Sequence, residues 1–175
     1  MGGMHQRRRL SIRLAWEYPE PWRAVALLIR AARTAADAEK LREGELSIAV
    51  VDAAAMCGLH QQFTGKSGAT DVLTFDLRGD PSDRRVDGQI VVCADVARQT
   101  VGGKPRRVDL RRELALYVVH GVLHLAGYDD HQPADFECMH RREDAILESL
   151  GLGRVFHEGP RGGVRGRGAL KRSRL

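Results

Sequence analysis

Alternating apolar and polar positions predict four short β-strands in the first part of the chain. A period of two is typical of a half-buried strand, with one face against a core and one face in water. A nearly unbroken apolar run is instead expected of a strand at the centre of a sheet, and the fourth stretch has that character. The predicted strands cover residues 10–16, 46–50, 70–77 and 89–93.

Apolar residues at three- and four-residue intervals predict about five helices between and after these strands. Pro21 suits the first turn of the first helix, where its missing N–H is not needed. The longest helix is predicted to end at Gly127, and the last covers residues 135–150. The predicted N-caps are Asp52, Asp95 and Asp109. These elements predict an α+β fold, with a small mixed sheet of about four strands packed with about five helices.

Charge is unevenly distributed along the 175 residues. The net charge is +5, but the segment from Gly159 onward holds six cations and no acid, and subtracting these six leaves −1 for residues 1–158. The segment after Gly159 is rich in glycine and arginine and has too few apolar residues to form a hydrophobic core. We therefore predict a disordered basic N-terminus (1–9), a single catalytic domain (10–157) and a disordered basic tail (158–175). Such a tail attracts polyanions through counterion release.

Cysteine usage and hydropathy indicate a soluble cytoplasmic protein with no membrane partner. Cys57, Cys93 and Cys138 are widely spaced and form no Cys-x-x-Cys pair, which argues against a disulfide framework and against a thiolate zinc site. The longest early apolar run, 24–29, is far too short to span a bilayer, and no signal-peptide pattern precedes it.

Two histidines lie within an otherwise apolar predicted helix. Residues 114–127 read LALYVVHGVLHLAG, and a helix that is apolar nearly all round is expected to be buried. His120 and His124 are four residues apart and so lie on one helix face. A buried imidazole without hydrogen-bond partners costs roughly 1–3 kcal/mol. One divalent metal ion held by both rings explains the pair, because neutral imidazole is a good metal ligand.

Candidates for a third ligand follow the helix directly. Gly127 allows the chain to turn back, and Asp129, Asp130 and His131 then come within reach of the same point. Three protein ligands leave a fourth position for water, which is the arrangement of catalytic zinc sites. Asp130 and His131 both stay open as the third ligand, and Asp129 is a candidate for orienting a ligand or for acting as a base. A pair of core histidines satisfied by neighbouring groups would explain the helix but not this cluster.

Gly121 distinguishes this helix from that of common metalloproteases. In the His-Glu-x-x-His motif the residue after the first histidine is the general base, and here it is Gly121. Peptide hydrolysis by that mechanism therefore lacks its proton acceptor. We also expect the glycine to leave space beside the metal for a bulky substrate such as a polynucleotide.

The histidine motif closely resembles the signature of the endoribonuclease YbeY family of bacterial ribosomal RNA maturation factors. The matching residues are His120-Gly-Val-Leu-His124-Leu-Ala-Gly127-Tyr128-Asp129, and 70–75, 88–92 and 112–114 resemble the family upstream. The resemblance covers about 45–150. It implies an α+β fold, one zinc ion held by three histidines, and single-strand-selective RNA cleavage in small-subunit ribosomal RNA maturation and ribosome quality control.

Three positions depart from the family pattern. The family usually reads Gly-Tyr-Asp-His, so Asp130 takes the third-ligand position in gapless register and His131 falls one residue late. The family commonly has an arginine implicated in activity where Thr64 stands, and an acidic residue where Gln89 stands. The cations left as candidates for phosphate contact are Lys66, Arg78 and Arg106.

These observations predict a zinc-dependent endoribonuclease that uses metal-assisted phosphodiester cleavage. The first alternative is a metal-dependent peptidase or amidase-type hydrolase, against which Gly121 argues. The second is a non-catalytic RNA-binding factor of ribosome assembly whose metal is structural, for which a fourth protein ligand would be the sign.

Overall fold

One mixed β-sheet organises the protein, for which the computed structural model describes residues 9–80, 83, 85–102, 106–155 and 173–174. The strand order is β1-β2-β4-β3-β5. The strands are β1 (Ser11–Trp16), β2 (Gly44–Val51), β3 (Val72–Asp76), β4 (Val86–Cys93) and the two-residue β5 (Ser173–Arg174). β1, β2 and β4 are parallel, β3 is antiparallel to β4, and β5 lies parallel to β3.

Five helices pack on this sheet within the described residues. They are α1 (Val25–Ala38), α2 (Ala53–Thr64), α3 (Ala94–Val101), α4 (Arg107–Leu125) and α5 (Pro133–Ser149). The predicted α+β class, with a small mixed sheet of four main strands and five helices, is confirmed. The central strand is β4, as its unbroken apolar run predicts, because β4 lies between β2 and β3.

The two faces of the sheet carry different cores. Along β4, Ile90 and Val92 join the main core, which includes residues of α1, α4 and α5. The alternate residues Val91 and Cys93 face the other way and pack with Met56 of α2. This alternation follows from the period of two along a strand. The histidine helix α4 therefore lies in the thicker layer, and every residue from Glu113 to Leu125 is buried.

Alanine dominates the buried face of α1. Val25 and Ile29 are only half-buried, and the buried stripe is instead Leu28, Ala31, Ala32, Ala35 and Ala36. Four residues of this stripe are alanines. Their short side chains allow a small distance between α1 and the elements packed against it, because the side chains at the contact set that distance.

One of the three predicted N-caps is confirmed. The carboxylate of Asp52 accepts a hydrogen bond from the backbone N–H of Ala55 at 2.8 Å. Asp95 and Asp109 do not cap their own helices, because α3 begins two residues and α4 three residues earlier than predicted. Asp95 instead accepts the backbone N–H of Ala53 at the start of α2, at 2.8 Å.

The terminal segments carry few described residues. Except for Arg9, Ser173 and Arg174, the predicted basic N-terminus (1–9) and basic tail (158–175) lie outside the described residues, and the predictions for them stay predictions. In the part of the chain that is described, no helix combines the length and the apolar character needed to cross a bilayer.

Gly121 allows α4 to approach the sheet closely. A Cβ atom placed on Gly121 would lie 2.9 Å from two carbon atoms of the Ile90 side chain on β4. In the direction in which a side chain would project, Gly121 therefore faces the packed sheet. The expectation that this glycine opens space beside the metal is wrong.

Replacing Gly121 by alanine is expected to destabilise the fold. The added methyl group overpacks the α4–β4 contact, and we expect a loss of about 1–2 kcal/mol after allowing for the better helix propensity of alanine. Urea unfolding measures this loss. Gly58→Ala is the matched control, because Gly58 is exposed on α2 and an added Cβ would have nothing within 4 Å. This substitution should stabilise by about 0.5–1 kcal/mol. Equal stabilisation by both substitutions would contradict the packing argument.

Candidate metal centre

The rings of His120 and His124 lie against each other in the interior. Their centroids are 4.4 Å apart and their planes are nearly perpendicular. The exposed fraction is 0% for His120 and 4% for His124. Their separation of one helical turn on α4 puts both rings on one face, as the sequence predicts.

Each ring is held by its Nδ1 atom. The Nδ1 of His124 lies 3.0 Å from the backbone carbonyl oxygen of Tyr128, which can only accept, so Nδ1 carries the proton. The Nδ1 of His120 lies 2.5 Å from Oε1 of Glu143 on α5. With protons on both Nδ1 atoms, the lone pair of each neutral ring is on Nε2, where a metal ligand needs it.

Asp130 completes the cluster. Its carboxylate oxygens lie 3.9 Å from Nε2 of His120 and 4.0 Å from Nε2 of His124. The three ligand atoms are all within 4.8 Å of one another. Two imidazole nitrogens and one carboxylate oxygen are a donor set that zinc and related divalent metals accept. The Asp130 side chain is 15% exposed, so the cluster reaches the surface on its side.

His131 has a different environment. Its side chain is 65% exposed, and its Nδ1 contacts Oδ1 of Asp129. The same Asp129 oxygen accepts the backbone N–H groups of Asp130, at 2.7 Å, and of His131, at 3.2 Å. The hydrogen bond from His131 is the largest cause that lowers the pKa of Asp129; partial desolvation opposes this shift, and the two backbone hydrogen bonds add to it. Asp129 thus shapes the turn that presents Asp130 to the histidines.

A further buried histidine, His140, is linked to His120 through Glu143. Glu143 is 2% exposed, and its other oxygen, Oε2, lies 2.5 Å from Nδ1 of His140. His140 is buried in turn, with the ring of Phe136 at a centroid distance of 4.0 Å. Glu143 therefore bridges His120 on α4 and His140 on α5. The sequence analysis predicts neither Glu143 nor His140 as part of the site. The available sign was a glutamate on the apolar face of α5, because a buried carboxylate requires partners.

The three cations predicted to contact phosphate lie apart from one another. Lys66 is exposed in the loop after α2. Arg106 pairs with Asp109 at the start of α4, the opposite end of the helix from the histidines. The guanidinium of Arg78 is 13% exposed and binds Asp76 at 2.5 Å and the carbonyl oxygen of Leu125 at 3.2 Å. Arg78 therefore fastens the end of β3 to the C-terminal end of α4.

Two other positions named from the sequence also have defined places. The Thr64 hydroxyl, at the position of the family arginine, donates to the carbonyl oxygen of His60 at 2.7 Å and so closes the last turn of α2. Gln89 lies within β4 and is paired with Phe75 of β3.

We expect Glu143→Gln to weaken metal binding. A glutamine keeps the volume but loses the charge that orients the ring of His120, and loss of such an outer partner typically lowers metal affinity about 10- to 100-fold. Competition with a chromophoric chelator measures the affinity. Glu148→Gln on the same helix is the control, because Glu148 is exposed and pairs with Arg154. Unchanged affinity in a folded Glu143 variant would contradict the orienting role.

Comparison with known proteins gives the family. The model of the family described as "Endoribonuclease YbeY" matches residues 20–151. A protein named endoribonuclease YbeY from Anaeromyxobacter dehalogenans is 35% identical over 90% of this chain and 81% of its own length. The protein of that name from Pelotomaculum thermopropionicum is 37% identical over 73% of this chain and 87% of its own length.

A solved structure agrees in fold. The solution structure of a protein from Thermotoga maritima superposes with a TM-score of 0.52 at 25% identity, and the match covers 80% of this chain and 91% of that one. The family match spans all five of these helices completely, together with β2, β3 and β4. The chain therefore belongs to the endoribonuclease YbeY family.

Proposed function

We propose that this protein is a zinc-dependent endoribonuclease that cleaves single-stranded RNA, with one zinc ion held by His120, His124 and Asp130. The observation that carries the proposal is the cluster of these three side chains at the end of α4. Membership of a family whose curated members are named endoribonucleases supports RNA as the substrate class.

Asp130 is the better third ligand on three grounds. Its oxygens lie about equally far from both Nε2 atoms, at 3.9 and 4.0 Å. It stands in the third-ligand position of the family motif. His131 is turned to solvent and its Nδ1 is already paired with Asp129. Carboxylate oxygen is an ordinary zinc ligand, so the exchange of histidine for aspartate keeps a workable set.

The residues around the cluster have separable tasks in the proposed reaction. Glu143 and the Tyr128 carbonyl fix the ring orientations of His120 and His124. Asp129 holds the turn, and its lowered pKa favours this orienting task over service as a base. A bound divalent ion would supply Lewis acidity and would lower the pKa of a water molecule at the open fourth position.

We further propose that the cleavage serves small-subunit ribosomal RNA maturation and ribosome quality control in the cytoplasm, with ribosomal RNA and the small subunit as partners. The family resemblance supports this assignment. The basic residues after Gly159 also support it, because counterion release favours any cation-rich segment near RNA.

Two alternatives fit the geometry less well. A peptidase of the His-Glu-x-x-His kind would need a carboxylate at position 121, where even a Cβ atom lies 2.9 Å from Ile90. A structural metal would need a fourth protein ligand. Among the described residues, the cluster that contains both histidines has three candidate ligands.

Substitution of the two rival ligands distinguishes them. We expect Asp130→Ala to lower zinc affinity by more than about 100-fold, because loss of a direct ligand should exceed the loss caused by removing an outer-sphere partner. The variant should also fail to cleave single-stranded RNA. His131→Ala is the matched control and should keep about one zinc per chain. Mass spectrometry of dialysed protein measures zinc content. The converse result, with zinc lost only from the His131 variant, would overturn the assignment of Asp130.

Substrate class is tested by a parallel assay on one zinc-loaded preparation. We expect cleavage of single-stranded RNA, much slower cleavage of the same strand annealed to its complement, and no cleavage of a peptide library. His124→Ala should remove the RNA cleavage, which excludes a contaminating nuclease. Peptide cleavage alone would favour the peptidase alternative. RNA binding without cleavage under any divalent metal would favour the assembly factor.

A further inference from the structure

Four arginines form an exposed cationic surface at the N-terminal end of α4. Arg106, Arg107 and Arg111 belong to the start of that helix, and all three are exposed. The guanidinium of Arg111 donates to the backbone carbonyl of Arg23 at 3.4 Å, which brings a fourth exposed arginine to the same place. We call Arg23, Arg106, Arg107 and Arg111 the α4 arginine surface.

Most of this charge is not neutralised by neighbours. Arg106 pairs with Asp109. Arg23, Arg107 and Arg111 take part in no ion pair within the described residues. Three exposed arginines elsewhere, Arg13, Arg85 and Arg141, each pair with an acidic side chain at 2.9 to 3.3 Å. Arg30 and Arg42 are also exposed and take part in no ion pair among the described residues, but they do not lie on α4.

The position of this surface is unfavourable for folding. The N-terminus of a helix carries a partial positive charge, so cations there are expected to destabilise by a few tenths of a kcal/mol or more each. No side chain caps α4, and Asp109 is the acid in its first turn. A cluster of unpaired cations at this end is therefore better explained by an anionic partner than by stability.

The metal end of α4 cannot supply much attraction for a polyanion by itself. The turn that follows α4 carries Asp129 and Asp130, and Glu143 lies behind His120. RNA phosphates that approach the cluster meet carboxylates as well as the ion. Arg107 is 13 positions before His120 and therefore lies about 20 Å from it along the helix axis.

The described chain at 154–155 lies beside the first half of α4. The guanidinium of Arg112 contacts the backbone carbonyl of Arg154, and the N–H of Val155 donates to Asp144 at 2.8 Å. These contacts hold the chain at 154–155 next to the first half of α4. The sequence that follows carries the six cations found after Gly159.

We propose that the α4 arginine surface binds the phosphate backbone of single-stranded RNA about 20 Å from the metal centre, so that the substrate is held at two places. This inference rests on the proposed function, because that function makes RNA the polyanion. The contacts are to phosphates and therefore add affinity without base specificity.

Salt dependence of RNA binding tests the proposal. The full zinc-loaded chain is titrated against fluorescent single-stranded 2′-O-methyl RNA at several salt concentrations. For single strands each phosphate contact contributes about 0.7 to the slope of log Kd against log salt. The triple variant Arg23→Gln, Arg107→Gln, Arg111→Gln should therefore lower that slope by about 2. Its zinc content should be unchanged.

The control triple variant is Arg13→Gln, Arg85→Gln, Arg141→Gln, which removes the same charge from exposed but paired arginines. We expect it to leave the slope nearly unchanged. An equal fall in both variants would show a general charge effect and overturn the surface, as would no fall in either. Sedimentation with phosphatidylserine vesicles runs in parallel, and arginine-dependent vesicle binding without RNA binding would also overturn the proposal.

Cleavage kinetics separate this inference from the proposed function. On a long single strand the α4 arginine variant should raise KM with kcat unchanged, and on a very short strand that cannot reach the arginines it should change neither. Cleavage by wild type with no such KM effect would refute the surface and leave the endoribonuclease intact. An arginine-dependent slope without cleavage would refute the endoribonuclease and leave the surface intact.

Discussion

The contact between His120 and Glu143 is the interaction on which the site depends. An imidazole can stay in an apolar interior only when its nitrogen atoms have partners, since an unmet buried group costs about 1–3 kcal/mol. Glu143 from α5 meets the inner nitrogen of His120, and the Tyr128 carbonyl meets that of His124. Both outer nitrogens are then directed to Asp130. The packing of α5 on α4 therefore also orients the side chains of the ligand cluster.

Charge balance follows from the same contact. Glu143 is almost fully buried, and Asp130 lies on the outer side of the two rings. A buried charge is tolerated when it is paired, and a divalent ion between the neutral imidazoles would balance both carboxylates. With three neutral histidine ligands, the divalent ion and the Glu143 carboxylate together would keep one net positive charge. With Asp130 as the proposed third ligand the centre would therefore be more nearly neutral, and a less charged centre lowers the pKa of bound water to a smaller extent.

Local patterns predicted much of this architecture, and contacts between distant segments explain what they missed. Strand alternation, the oily histidine helix and the Asp52 cap depend on neighbours within a few residues. The hydrogen bond between Glu143 and His120 joins α5 to α4, and no periodicity in the sequence encodes it. His140 contacts the same glutamate from within α5. The choice between Asp130 and His131 depends on side-chain bonds made by Asp129, so residue spacing alone left it open.

The two ends of α4 carry partial charges of opposite sign. The C-terminal end of a helix carries a partial negative charge and the N-terminal end a partial positive one, each worth about 0.3–1 kcal/mol for a suitably placed ion. A cation held by His120, His124 and Asp130 would lie at the favourable C-terminal end. Arginines at the other end oppose the dipole until an anion neutralises them. Because phosphate interacts favourably with both the arginines and the helix N-terminus, RNA binding would relieve the repulsion that folding alone leaves in place.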